Sequence, residues 1–198
     1  MIRQNLRFAV FGNSFQPRKS HSIFRVLAFL EKQGCQVEFD RSFYDFLQEN
    51  HDLDLGKYAT FEGDDFEADY VLSMGGDGTF LQSAVRVGEK QIPLVGINMG
   101  RLGFLADVLP DEVEEALDAV LKGNYNIEEH TAIRITTEGG DFEGCHYALN
   151  DIAVLKRDVA SMISIRTHVD GSFLVNYQAD GLIAVSDHPL TLPTIFRV

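Results

Sequence analysis

MGGDGTFLQ, Met74 to Gln82, follows the apolar run ADYVLS with no residue between them. The order is strand, tight glycine turn, helix start. In an open parallel sheet, ligands bind beyond the carboxyl ends of the strands, and N–H groups at a helix start favour anions. The position therefore suits a phosphate or a ribose. Gly75, Gly76 and Gly78 read as positions of positive φ and close ligand approach, with Asp77 presented as a carboxylate between them. The helix reads as opening at or just after Thr79, with Phe80, Leu81, Ala84 and Val85 on its packed side. The stretch is neither Gly-x-Gly-x-x-Gly nor a Walker loop, because no Lys-Ser/Thr follows. A helix-capping Asp or Thr would explain Asp77 or Thr79 alone, but three glycines around one acid exceed what a cap needs. A carboxylate beside a bound hydroxyl can serve as general base in a phosphoryl transfer.

Working outward, strand and helix patterns alternate. LRFAVFG (Leu6 to Gly12) predicts a buried strand, and SHSIFRVLAFLEKQG (Ser20 to Gly34) a helix with Ile23, Val26, Leu27 and Leu30 on one face. CQVEF predicts a strand and DRSFYDFLQEN a short helix; the acidic LGKYATFEGDDFE reads as a surface loop. After the glycine turn and its helix come IPLVGIN as a strand and LPDEVEEALDAVLKG as a helix, with Pro110 at its start and Gly123 after its end. Such alternation implies parallel pairing in an open, doubly wound, Rossmann-like α/β sheet over residues 1–123.

From residue 124 the character changes. HTAIRITTEGGDFEGCHYALNDIAVLKRD and SMISIRTHVDGSFLVNYQADGLIAVS are rich in Ile, Val, Thr and Tyr, with turns at residues 138–141 and at Asp170-Gly171. Residues 124–198 read as a β-rich second domain.

Composition limits the partners. The 198 residues are 45% hydrophobic, enough for a real core, and 17 basic against 30 acidic residues leave a net charge of -13. That charge repels nucleic acid and anionic membranes, so an anionic nucleotide needs local backbone donors, a few basic groups, or a divalent metal such as Mg²⁺ on its phosphates. Cys35 and Cys145 read as reduced structural thiols, and the six histidines show no metal or triad spacing. No protein-ligated metal is expected. The N-terminal apolar run is too short for a signal peptide, and no run approaches the ~18 apolar residues of a membrane span, so the chain reads as cytoplasmic.

Three further stretches carry candidate chemistry. GINMGRLGFLAD (Gly96 to Asp107) follows a strand near the glycine turn; its Phe104 either stacks on a base or plugs the domain junction. In ALNDIAVLKRD, Asn150 and Asp151 interrupt a strand pattern, as a β-bulge or edge, or as donors and acceptors for an adenine edge and a ribose hydroxyl. In NYQADGLIAV, Asp180-Gly181 enters an apolar strand, or is a plain turn.

Together, GGDGTFL (75–81), GINMGRLGFLAD (96–107), ALND (148–151) and ADGLI (179–183) resemble the NAD kinases in order and spacing, from about Leu6 to Val185. GGDGT alone is shared with lipid kinases and, loosely, phosphofructokinases. The resemblance implies ATP-dependent phosphorylation of the adenosine 2′-hydroxyl of NAD, with Mg²⁺ or another divalent ion. In such enzymes an α/β domain carries the GGDGT turn and a β-sandwich domain supplies the Asn-Asp pair. Carried over, Asp77 is the base; Gly75, Gly76, Gly78 and Thr79 belong to the nucleotide loop; and Phe104 lines the NAD site. Asn150 and Asp151 hold the adenosine portion, and Asp180 contacts the nicotinamide side or a neighbouring subunit's ligand. Homodimers or homotetramers are implied.

Two departures stand out. The family often has Arg where this chain has Gln178, and after GLIAV it continues with a Thr-Pro-Thr-Gly-Ser-Thr-Ala-Tyr-like loop where this chain reads SDHPLTLPTIFRV. The expectation is a reading-frame change after about Val185 and an incomplete β-sandwich. The alternatives are a kinase-derived fragment that only binds nucleotide, and a GGDGT lipid kinase.

Overall fold

The structure is a computed structural model that describes residues 5–12, 20–50, 54–100, 103–138, 146–149, 151–157 and 160–186. The chain divides into two compact units, Met1–Glu128 and Glu129–Val198.

The first unit is built on five parallel strands: β1 (Arg7–Gly12), β2 (Gln36–Asp40), β3 (Ala59–Phe61), β4 (Tyr70–Gly75) and β5 (Leu94–Asn98), in the order β3-β2-β1-β4-β5. Its helices are α1 (Ser20–Lys32), α2 (Arg41–Asn50), α3 (Asp77–Val87) and α4 (Val113–Lys122). The central strands are apolar on both faces, as a sheet covered on both sides requires. Phe8, Val10, Leu72 and Met74 enter one core cluster with Ile23, Val26, Leu27 and Leu30 of α1 and Val113, Leu117, Val120 and Leu121 of α4. Ala9, Phe11 and Val71 enter a second cluster with Val87 of α3. The sheet is thus doubly wound.

Several expectations need correction. The acidic segment after α2 is not simply loop: Ala59–Phe61 forms edge strand β3, with Phe61 buried beside Phe11 and Phe66. Helix α3 opens at Asp77, two residues before Thr79. Its buried residues are Thr79, Ser83 and Val87, while Phe80, Leu81, Ala84 and Val85 are only half-buried. Thr79 lies against Gly75 at the end of β4, and the Phe80 ring lies against Gly96 of β5. Helix α4 opens at Val113, so Pro110 lies in the preceding turn; Gly123, at φ 75°, ends it in the left-handed conformation as expected.

The second unit is antiparallel and β-rich, as the sequence pattern leads one to expect. It holds β6 (Ile133–Arg134), β7 (Tyr147–Ala148), β8 (Asp151–Leu155), β9 (Ile163–Val169), β10 (Ser172–Ala179) and β11 (Gly181–Val185), paired as β6–β7, β8–β11 and β9–β10. Asp170 and Gly171, at φ 50° and 77°, form the tight β9–β10 turn. The turn at 138–141 falls largely outside the described residues, as do Cys145 and residues 187–198. No described residue of this unit is buried, and Leu155, Phe173, Leu174, Ile183 and Val185 are exposed. Two-stranded ribbons are marginal on their own.

Candidate functional site

The chain leaves β1 and β4, neighbours in the sheet, toward opposite faces. That makes the carboxyl end of β4 the topological switch point, where a ligand crevice opens in such sheets. The glycine turn sits there. Gly75 ends β4, and Gly76, extended at φ -111° and ψ -166°, precedes α3 without any side chain capping the helix. The first-turn N–H groups of an α-helix have no partner within the helix, which suits an anion.

The glycines are not used as expected. Among the described glycines, positive φ occurs at Gly34, Gly63, Gly88, Gly123 and Gly171, and at none of Gly75, Gly76 or Gly78. Gly75 is required by close approach instead, since a Cβ there would lie 2.1 Å from Thr79 Oγ1. Around Gly76 and Gly78 a Cβ would meet nothing within 4 Å, so both backbones stand open.

Asp77 is gripped from across the site. Its Oδ2 accepts from Phe104 N–H at 2.9 Å, and its Oδ1 accepts from Leu105 N–H at 3.0 Å and Ala106 N–H at 3.2 Å. These backbone donors hold the carboxyl below the usual carboxylate range. Gly103 lets the loop come so close, because a Cβ there would lie 2.1 Å from Asp77 Oδ1.

Asn98 holds the same loop from below. It is buried at the end of β5, donates from Nδ2 to the Ala106 carbonyl at 3.1 Å, and accepts at Oδ1 from Gly100 N–H at 2.7 Å. Met99 N–H donates to the Gly75 carbonyl at 2.8 Å, and Asn98 N–H to the Val108 carbonyl at 2.8 Å, so the loop is tied to β4 and returns along β5. The Phe104 ring is fully exposed while its N–H is bound. Arg101 lies outside the described residues.

In the first unit the structure brings together Gly75, Gly76, Asp77, Gly78, Thr79 and the backbone of Phe104. In the second, Asp151 opens β8 opposite Val185, and Asp180 precedes Gly181, which lies opposite Leu155. They sit at opposite ends of one ribbon, about 15 Å apart at ~3.4 Å per residue. Asp180 pairs with Lys156, Oδ1 to Nζ at 2.6 Å, and its carbonyl accepts from Lys156 N–H at 2.9 Å. Asn150 lies outside the described residues. Among the described residues, no three His, Cys, Asp or Glu converge as metal ligands. Sequence reasoning missed Asn98 and Lys156; for Asn98 the available signal is a polar residue closing an otherwise apolar strand.

A parallel sheet wound on both faces, with an acidic glycine turn at its switch point, defines a doubly wound α/β protein of nucleotide-binding type. The family model for the ATP-NAD kinase N-terminal domain matches residues 23–125, just over half of the 198 residues, and the chain belongs to that family. It is 47% identical over 178 residues to an NAD kinase of Bacteroides fragilis, and 39% identical over 178 residues to one of Cytophaga hutchinsonii. These alignments cover 90% and 89% of this chain and 61% of each relative, so the chain spans about three-fifths of their length. The crystal structure of yeast NADH kinase complexed with NADH shares the fold, with a TM-score of 0.75 at 17% identity, over 92% of this chain and 58% of that one.

Proposed function

We propose that this chain carries the phosphoryl-transfer centre of an NAD kinase, which uses ATP and Mg²⁺ to phosphorylate the adenosine 2′-hydroxyl of NAD and so forms NADP. The observation that carries the reading is Asp77 at the switch point, held ionised by three backbone donors. A carboxylate offers about four lone-pair positions. With three engaged, one on Oδ2 remains for a substrate hydroxyl.

In this reading the 2′-oxygen attacks the γ-phosphorus, the bond to the β-phosphate oxygen breaks, ADP leaves, and the hydroxyl proton passes to Asp77. Its lowered basicity suits a loose transition state, in which positioning outweighs base strength. The backbone at Gly75, Gly76, Gly78 and Thr79 cradles the phosphates, and Phe104 offers a stacking face to the dinucleotide. Asn150 and Asp151 serve the adenosine portion. Asp180, oriented by Lys156, serves the nicotinamide side or a ligand of a neighbouring subunit. The donor set fits a divalent ion held mainly by the ATP phosphates, which neutralises their charge. We further infer a cytoplasmic protein that assembles as a homodimer or homotetramer, with the exposed apolar β ribbons as candidate contact surface.

A second reading, nucleotide binding without turnover, is favoured by the second unit, whose described residues include none that is buried. The test is NADP formation by this chain with NAD, ATP and Mg²⁺, beside Asp77→Asn, together with NAD titration by calorimetry. Turnover abolished by the substitution supports the kinase. Binding without turnover supports the second reading, and neither binding nor turnover from a folded chain refutes both.

A further inference from the structure

Gly100 and residues 104–106, which follow β5, are held by two side chains from different strand ends. Asp77, just after β4, takes the N–H groups of Phe104, Leu105 and Ala106. Asn98, at the end of β5, takes Gly100 N–H and gives to the Ala106 carbonyl. Ala106 is therefore gripped on both sides of its backbone, its N–H by Asp77 and its C=O by Asn98. A fully exposed aromatic ring has no packing of its own to fix it, so its position depends on the backbone that carries it.

We infer that Asn98 is a positioning residue: with Asp77 it forms a two-point clasp that fixes the backbone beneath Phe104 and keeps the Asp77 carboxylate in register with that loop. The inference rests on the reading of Phe104 and Asp77 as parts of the dinucleotide site. Asn98 suits the task because one amide supplies both a donor and an acceptor. It is buried, so its bonds do not compete with water. Gly103 completes the device by leaving room for the Asp77 oxygens.

Two measurements on the full chain test the clasp. The first, amide hydrogen exchange without ligand, is independent of what the site binds. Asn98→Ala is expected to speed exchange at Leu105 and Ala106 about tenfold, the loss of roughly one well-placed hydrogen bond, while Leu72 and Val10 in the central strands stay protected. Gly103→Ala, which disturbs the clasp from the Asp77 side without touching the core, is expected to do the same if Asn98→Ala proves poorly folded. Unchanged exchange at Leu105 and Ala106 in a folded variant overturns the inference.

The second is calorimetric titration with NAD. Asn98→Ala is expected to weaken binding about tenfold. Asn98→Asp, which keeps the acceptor for Gly100 but sets a buried carboxylate oxygen against the Ala106 carbonyl, is expected to weaken binding at least as much as Asn98→Ala. Faster exchange with unchanged NAD affinity overturns the positioning role. Absence of NAD binding by the unsubstituted chain removes the functional reading and the positioning role with it, and the exchange result then decides the clasp alone.

Discussion

Removing the Arg86 guanidinium is expected to destabilise the first unit by about 3 kcal/mol at neutral pH. Arg86, in the last turn of α3, donates to Asp40 Oδ1, to Asp64 Oδ1 at 2.9 Å and to the Gly63 carbonyl, and its guanidinium carbon lies 4.8 Å from the Phe11 ring centre. Asp40 is buried at the end of β2, where its Oδ2 accepts from Ser42 Oγ and from Phe43 N–H at the start of α2. Breaking a buried pair from one side costs about 3–5 kcal/mol. Here Ser42 and Phe43 still serve the carboxylate and the arginine is partly exposed, so about 2–3 kcal/mol is the discounted figure, to which the lost cation–π contact adds about 0.5–1 kcal/mol.

Arg86→Met keeps the apolar contact with the rings and removes the charge. Urea titration followed at 222 nm reads the first unit, which holds all the α-helices among the described residues. At an m-value of about 1.5 kcal/mol per molar, the midpoint should fall by about 2 M. The pH dependence sharpens the test. Burial pushes the Asp40 carboxyl up, but Ser42, Arg86 and the Phe43 N–H outweigh it, and the net effect is lowering. A lowered folded value stabilises above the unfolded value of about 4, and that contribution is lost as pH falls through the folded value. Without Arg86 two of the lowering causes are lost and the carboxyl rises from its lowered value, so the variant's deficit should be greatest near neutrality and shrink as pH falls through about 4 and below. Asp40→Asn in the Arg86→Met background should restore at least half of the loss by removing the unpaired charge. A midpoint shift under about 0.3 M, or no recovery in the double variant, would refute the reasoning.

Other consequences are open to the same assay. Ser73 is fully buried in β4 with no partner for its hydroxyl among the described residues, so Ser73→Ala should be neutral or stabilising by up to about 1 kcal/mol, and a loss beyond 1 kcal/mol would argue against an orphan group. A Cβ on Gly96 would lie 2.8 Å from the Ala106 Cα, so Gly96→Ala should cost about 1–3 kcal/mol by forcing the returning loop off β5. Gly78→Ala, inside α3 with open space around it, should be neutral or stabilise by about 0.4–1 kcal/mol; a Gly78 result as damaging as that at Gly96 would contradict the packing described.

The alternation of strand and helix in the first unit was legible because covered parallel strands must be apolar on both faces, as in Phe8–Phe11 and Val71–Met74, while α1 carries its apolar residues at helical spacing. The glycine turn was legible by the same reasoning, since it falls where such a strand ends. Strand β3 was not, because three residues among acids carry too little periodicity to distinguish an edge strand from a loop. Nor was the buried face of α3, where the polar Thr79 and Ser83 are buried with Val87, Thr79 against Gly75 and the Ser83 hydroxyl bonded to the Thr79 carbonyl.

The candidate site divides in the same way. By itself the sequence determined that Asp77 stands among glycines at the end of a buried strand, because local pattern and chain order suffice for that. What holds the carboxylate was decided only by the tertiary structure: its donors lie 27 to 29 residues away, and Asn98 reaches the same loop from another strand. Such bonds depend on the path by which the chain returns along β5. No periodicity encodes that path, since it follows from the close approach that Gly75, Gly96 and Gly103 allow once the sheet has formed.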